Sequence, residues 1–123
     1  MIKSGIDLIR TNRLAEADPK IRERFLARVF TPAEQEQAKG NLETLSGIFA
    51  AKEAVSKALG TGIGKVGWQD IEILHETSGE PMVYLHNYAQ EAAQLKGLTD
   101  WSVSITHDGG MAAAVAVAIG ESA

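Results

Sequence analysis

Residues 41–59 constrain this chain more than any other stretch, because they read as one long helix that the rest of the chain must cover. The segment opens on Asn41, contains no proline, is rich in Ala and Leu, and meets a glycine at Gly60. Leu45, Ile48, Ala51, Val55, Ala58 and Leu59 fall on one face at helical spacing. Phe49, Glu53, Ser56 and Lys57 gather on another face, so a carboxylate and an ammonium stand one turn apart, off the apolar stripe. A glycine-rich loop follows at once. Carboxylates hold divalent cations, lysine neutralises phosphate, and glycine lets backbone approach a ligand, a combination that suits metal-assisted chemistry on a phosphorylated substrate.

The flanking segments supply the cover. Residues 2–9 alternate loosely and predict a strand in which Gly5 permits close backbone approach. From Thr11 the pattern turns helical. Asp18-Pro19 gives a cap and first-turn proline for a piece in which Ile21, Phe25 and Val29 recur at four-residue steps. Thr31-Pro32-Ala33-Glu34 is a capping-box signature for another short helix, ended at Gly40. Beyond the long helix the pattern predicts strands over 68–75 and 82–85 around a turn at Ser78-Gly79-Glu80-Pro81. A helix over 88–96 is stopped by Gly97, and a closing hairpin pairs 101–106 with 111–119 around Asp108-Gly109-Gly110. With 123 residues and no internal repeat or linker, one α+β domain spanning 1–123 is the economical organisation.

Composition removes several functions. There is no cysteine, which excludes disulfides, thiolate catalysis and cysteine-bound zinc and fits a reducing cytosol. The longest apolar run, 111–119, is too short to span a membrane, and the N-terminus has no signal-peptide pattern. A net charge of −4 argues against general nucleic-acid binding. The charge is uneven: residues 1–30 carry seven basic and four acidic side chains, a net of +3 against −7 for the remainder. That basic quarter suits either an acidic partner or a plain solvated helix face.

Two phosphate-binding patterns fail on context. Gly62-Ile63-Gly64-Lys65-Val66-Gly67 matches a dinucleotide fingerprint but follows a helix and precedes a strand, the reverse of what that motif needs. Residues 60–65 end on Gly64-Lys65, but Val66 follows where a P-loop requires Ser or Thr, and Leu59 stands where its first glycine would fall. Asp7 is more informative, since an acid in an apolar strand is costly to bury unless paired or bound to a cation. With Glu53, waters and phosphate oxygens it would suit Mg²⁺. The simpler alternative places Asp7 at a strand end and pairs Glu53 with Lys57 along the helix. His107 ends a strand bearing small hydroxyls and is placed either to take a proton, to contact phosphate, or merely to meet solvent.

Taken together, these segments resemble the holo-acyl-carrier-protein synthase family, the small 4′-phosphopantetheinyl transferases. Gly5-Ile6-Asp7 resembles its first-strand motif, and 49–58 with Gly60-Thr61-Gly62-Ile63-Gly64 resembles its signature segment almost letter for letter. Residues 68–73, the Gly79-Glu80-Pro81 turn and Ser102-Val103-Ser104-Ile105-Thr106-His107 follow in the family's order, so the likeness covers nearly the whole chain.

The resemblance implies a long central helix packed on a mainly antiparallel sheet. It also implies a cytoplasmic homotrimer with active sites between subunits, in which the alanines of 112–116 pack near the threefold axis. The implied reaction cleaves CoA at its pyrophosphate, passes 4′-phosphopantetheine to a serine of apo acyl carrier protein, and releases adenosine 3′,5′-bisphosphate. Asp7 and Glu53 would ligate Mg²⁺. Glu53, Lys57 and His107 would be catalytic, with Glu53, a metal-bound water or His107 taking the serine proton. Lys52, Ser56, Gly60, Thr61, Gly62, Ser78, Gly79, Pro81 and Thr106 would contact CoA. Arg10, Arg13, Arg22 and Arg24 would dock the acidic carrier. Three positions depart from the family pattern: Arg10 where many members carry Glu, Ile48 where a basic residue is usual, and Asp108 after His107.

Overall fold

The computed structural model describes residues 1–121. In chain order it forms β1 (Ile2–Arg10), α1 (Asn12–Glu16), α2 (Pro19–Val29), α3 (Pro32–Ala38) and α4 (Leu42–Leu59). A 3₁₀ turn (Trp68–Asp70), β2 (Ile71–His75), β3 (Pro81–Leu85), α5 (Asn87–Leu95), β4 (Leu98–Asp108) and β5 (Met111–Gly120) follow.

Helix α4 is the centre of the molecule. The Asn41 side chain accepts the Thr44 amide at 2.9 Å, and Gly60 ends the helix in a left-handed conformation at φ +79°. The predicted stripe is fully buried but proves too narrow. Ser46, Ala50, Lys52, Ala54 and Ser56 are buried as well, because α4 is covered on two sides. A three-stranded sheet of order β1-β5-β4 lies on one side, while α3 and β2 approach from another.

Every strand pairing is antiparallel, as expected, but the strands divide into two sheets: β1-β5-β4 and the hairpin β2-β3. The strand predicted to begin at Trp68 begins instead at Ile71. The Asp70 carboxylate accepts the Gly67 amide at 2.8 Å and folds 68–70 into a turn. Strand β4 starts three residues before the expected Trp101, at Leu98. Its hairpin to β5 closes through Gly109 and Gly110 at φ +56° and +76°, the conformation a two-residue hairpin turn demands.

Side-chain alternation decides what β5 does. Ala112, Ala114, Ala116 and Ala118 are buried on the α4 side, where their small size admits the helix. Ala112, Ala114 and Ala116 therefore do not form the packing surface near a threefold axis that the resemblance implied. The opposite face of the sheet is open and carries Ile2, Ile6 and Leu8, which are 71%, 66% and 61% exposed, beside Val115 and Ile119.

A buried polar knot ties α4 to its other neighbours. Lys52 Nζ reaches Glu34 Oε1 at 2.8 Å and the carbonyls of Trp68 and Ile71 at 2.9 and 2.6 Å. Glu34 in turn accepts the amides of Thr31 and Ile73, each at 2.8 Å, completing the capping box expected at Thr31. Phe49 stacks on Trp68 with ring centroids 4.9 Å apart and meets Phe25 at 5.7 Å, holding α2 and the 3₁₀ turn to α4.

Candidate functional site

Gly5 sets the geometry of the site. A Cβ there would fall inside the Ala54 carbonyl oxygen and 2.9 Å from the Ala58 nitrogen, so only glycine lets β1 lie against α4 at this point. Asp7, two residues on and on the same face of the strand, is thereby brought to the Glu53–Lys57 face of the helix.

Lys57 Nζ donates to the Ile6 carbonyl at 2.9 Å and lies 3.4 Å from Asp7 Oδ1. Asp7 Oδ2 is buried and has no hydrogen-bond donor. Glu53 is half-buried, and its carboxyl is pushed above the ordinary range, first by burial and then by the Asp7 charge, with Lys57 pulling it back. Among the described residues Glu53 forms no ion pair with Lys57, so the pairing along the helix is not what the structure adopts.

An orphaned carboxylate oxygen beside a second carboxylate is a donor set that a hard cation relieves. Among the described residues no three His, Asp or Glu side chains could hold a metal by themselves. The two carboxylates thus fit an ion that draws its remaining ligands from water and substrate, as Mg²⁺ commonly does.

The other predicted residues are distributed as follows. Gly60 and Gly62, both at positive φ, curl the loop back over the end of α4, where the Thr61 and Gly62 amides reach the Ser56 carbonyl at 3.3 and 3.1 Å. Lys52 is fully buried in its knot with Glu34, and Ser56 is fully buried with its hydroxyl on the Glu53 carbonyl at 2.7 Å. In this conformation both side chains are turned inward and their polar atoms are taken up by protein partners. Ile48 is fully buried too, so the missing basic residue there is a core position in this fold.

His107 lies on the α4 side of the sheet, with Nε2 2.9 Å from the Glu43 carbonyl in the first turn of the helix. Ten residues of helix separate Glu43 from Glu53, about 15 Å of rise, so one chain does not bring His107 to the carboxylates. Thr106 alternates to the open face of the sheet. Ser78, Gly79 and Pro81 stand at the far end of the β2–β3 hairpin from Asp70 and His86, the end nearest Lys52.

Arg10, Arg13 and Arg22 rim a groove of about 230 Å³ floored by Ile21, Phe25 and Phe49. Phe49 precedes Glu53 by one turn of α4, and Ile9, which also lines the groove, follows Asp7 by two residues on β1. Arg24 lies apart, in a separate groove with Lys20, Glu23 and Ala27.

Two features carried no sequence signal. Lys96 donates from α5's end to the Leu59 carbonyl, neutralising the C-terminus of α4 beside the glycine loop. A groove of about 140 Å³ adjoins Thr61, where Lys65 sits 5.1 Å above the Tyr88 ring.

A family model described as the 4′-phosphopantetheinyl transferase superfamily matches residues 3–118, which include the Asp7, Glu53, Lys57 and His107 positions. This chain belongs to that family. Among curated relatives, the holo-[acyl-carrier-protein] synthase of Moorella thermoacetica is 48% identical over 120 residues, covering 95% of this chain and 93% of that protein. Among solved structures, the Helicobacter pylori holo-[acyl-carrier-protein] synthase in complex with coenzyme A aligns with a TM-score of 0.84 at 34% identity. That match covers 97% of this chain and all of the other. The Neisseria meningitidis holo-[acyl-carrier-protein] synthase aligns with a TM-score of 0.86 at 31% identity, covering 97% and 99%.

Proposed function

We propose that this phosphopantetheinyl transferase is a Mg²⁺-dependent holo-[acyl-carrier-protein] synthase. It moves 4′-phosphopantetheine from CoA to a serine hydroxyl of apo acyl carrier protein and releases adenosine 3′,5′-bisphosphate. The observation that carries this reading is the buried, donor-free Asp7 Oδ2 beside a Glu53 carboxyl that its surroundings push up, with Lys57 at hand.

Asp7 and Glu53 would hold the ion. When bound, it supplies charge neutralisation on the pyrophosphate and on the leaving oxygen. Lys57, with about half its side chain exposed, exchanges Asp7 for a phosphate oxygen when CoA enters. The loop Gly60-Thr61-Gly62 lines the nucleotide side. The serine proton would pass to Glu53 or to a water beside the carboxylate pair, with His107 of a neighbouring subunit the alternative acceptor.

The carrier docks on the arginine-rimmed groove. Its acidic surface would meet Arg10, Arg13 and Arg22 while an apolar side chain enters between Ile21 and Phe25, directing the serine along α4 toward Glu53. Arg24 would act only on long-range attraction.

The functional unit is a homotrimer. The open sheet face presents Ile2, Ile6, Leu8, Val115 and Ile119 as an apolar surface that other copies would cover. Subunit contact would bring His107 and the Ser78–Pro81 turn of one protomer to the carboxylates and glycine loop of the next, supplying what one chain keeps apart. Its place of action would be the cytoplasm.

The deciding experiment incubates the protein with CoA, Mg²⁺ and an apo carrier protein and weighs the carrier. A gain of one phosphopantetheine is expected. No gain with any of several acidic carriers would overturn the assignment and leave a binding module of the same fold.

A further inference from the structure

Gly47 lies in the interior of α4 at an ordinary helical φ, where glycine is the poorest helix former after proline. A Cβ at this position would sit 3.0 Å from both Cε1 and Nε2 of His107 and 2.8 Å from Ile105 Cγ2. The imidazole thus rests edge-on against a helix face that is clear only because residue 47 has no side chain. Its Nε2 is 2.9 Å from the Glu43 carbonyl oxygen, an atom that can only accept. Nε2 must therefore carry the proton, and in the neutral ring Nδ1 is a bare lone pair. No described protein group engages that lone pair, and His107 is exposed.

We infer that Gly47 is a positioning residue: it seats His107 on the first turn of α4, fixes the Nε2–H tautomer, and leaves Nδ1 as the one nitrogen that can face the transferring groups. This rests on the reading of His107 as a site residue of the phosphopantetheinyl transfer, completed across subunits. The helix backbone anchors the ring through Nε2 in both protonation states, so a proton gained or lost at Nδ1 does not release it.

The test reads geometry and chemistry separately. Nitrogen-15 spectra of the intact protein, assigned with His107→Gln, should show Nε2 as the protonated nitrogen of neutral His107 and Nδ1 as the bare one. In Gly47→Ala, which improves helix propensity and crowds only side-chain atoms, the ring should lose that fixed tautomer and average between the two. Turnover should fall on the order of tenfold, with the CoA KM moving less than kcat. Adding Gly47→Ala to His107→Gln should cost nothing further. An Nδ1–H tautomer in the parent protein, or an unchanged tautomer in Gly47→Ala, overturns the inference whatever the activity. An altered tautomer with undiminished turnover instead overturns the role of His107 in the transfer and leaves the metal-site reading untouched. Should Gly47→Ala fail to fold, the tautomer of the parent protein alone decides, because the seat exists only if Nε2 is the donor.

Discussion

Lys57 Nζ lies 3.4 Å from Asp7 Oδ1 and leaves the other oxygen of that carboxylate buried without a donor. The lysine therefore compensates Asp7 only in part. It is bound to β1 through the Ile6 carbonyl as well, so it marks the point where helix and strand meet over the carboxylate pair.

Loss of either carboxylate should remove metal-dependent turnover while leaving the fold intact. For Asp7→Asn and Glu53→Gln we expect a fall of about 100-fold or more in kcat/KM, since even outer-shell partners of a metal cost 10–100-fold. Lys57→Ala should raise the KM for CoA. Carrier mass gain against Mg²⁺ concentration checks all three, and full activity in Glu53→Gln would overturn the ligand assignment.

The metal-free protein should show a pH dependence traceable to Glu53. Its folded carboxyl is pushed up, by burial first and by Asp7 second. A raised group contributes stability that is present below its unfolded pKa, about 4.3, and is lost as pH rises through the folded value. Glu53→Gln, which cannot ionise, should therefore melt above the parent at neutral pH in chelator. The difference should vanish in acid below that unfolded value. Mg²⁺ should reverse the order at neutral pH. Melting curves with and without chelator read this directly, and a parent that outlasts Glu53→Gln in chelator at neutral pH would refute it.

Lys52 is expected to be a structural residue. Breaking its fully buried pair with Glu34 leaves an uncompensated charge, which costs about 3–5 kcal/mol. Urea unfolding of Lys52→Ala should show that loss. A Lys52→Ala protein of normal stability with weakened CoA binding would restore the ligand role instead.

Arg13→Glu and Arg22→Glu should each raise the carrier KM on the order of tenfold at low salt and flatten its salt dependence, since they rim the apolar groove. Arg24→Glu, in its separate groove, should do less. Equal effects at all three would mean that only net charge matters.

Charging the open sheet face should break the assembly. Light scattering should give three copies of the 13.1 kDa chain for the parent and one for Ile6→Asp with Val115→Asp. A monomeric parent with full activity would remove the shared-site reading.

The local chemistry of this protein is written in its sequence. The α4 stripe, the Thr31–Glu34 capping box, the two-glycine hairpin turn and the Asp7, Glu53 and Lys57 positions depend on short-range periodicity and on side chains with few alternative uses. Only the tertiary structure decided which partner each charge takes. A spacing of four residues let Lys57 pair with Glu53, yet Gly5 draws β1 so close to α4 that Asp7 lies nearer. The family resemblance implied a CoA contact for Lys52, but the cover of α3 and β2 turns it into the core against Glu34, about 60 Å of extended chain away in sequence at about 3.3 Å per residue. Alternation along β5 sent its even-numbered alanines to the helix and left the odd positions for another surface. The distance between His107 and Glu53 is of this kind too: residue types name a site, but contacts between segments far apart in sequence determine whether one chain can assemble it.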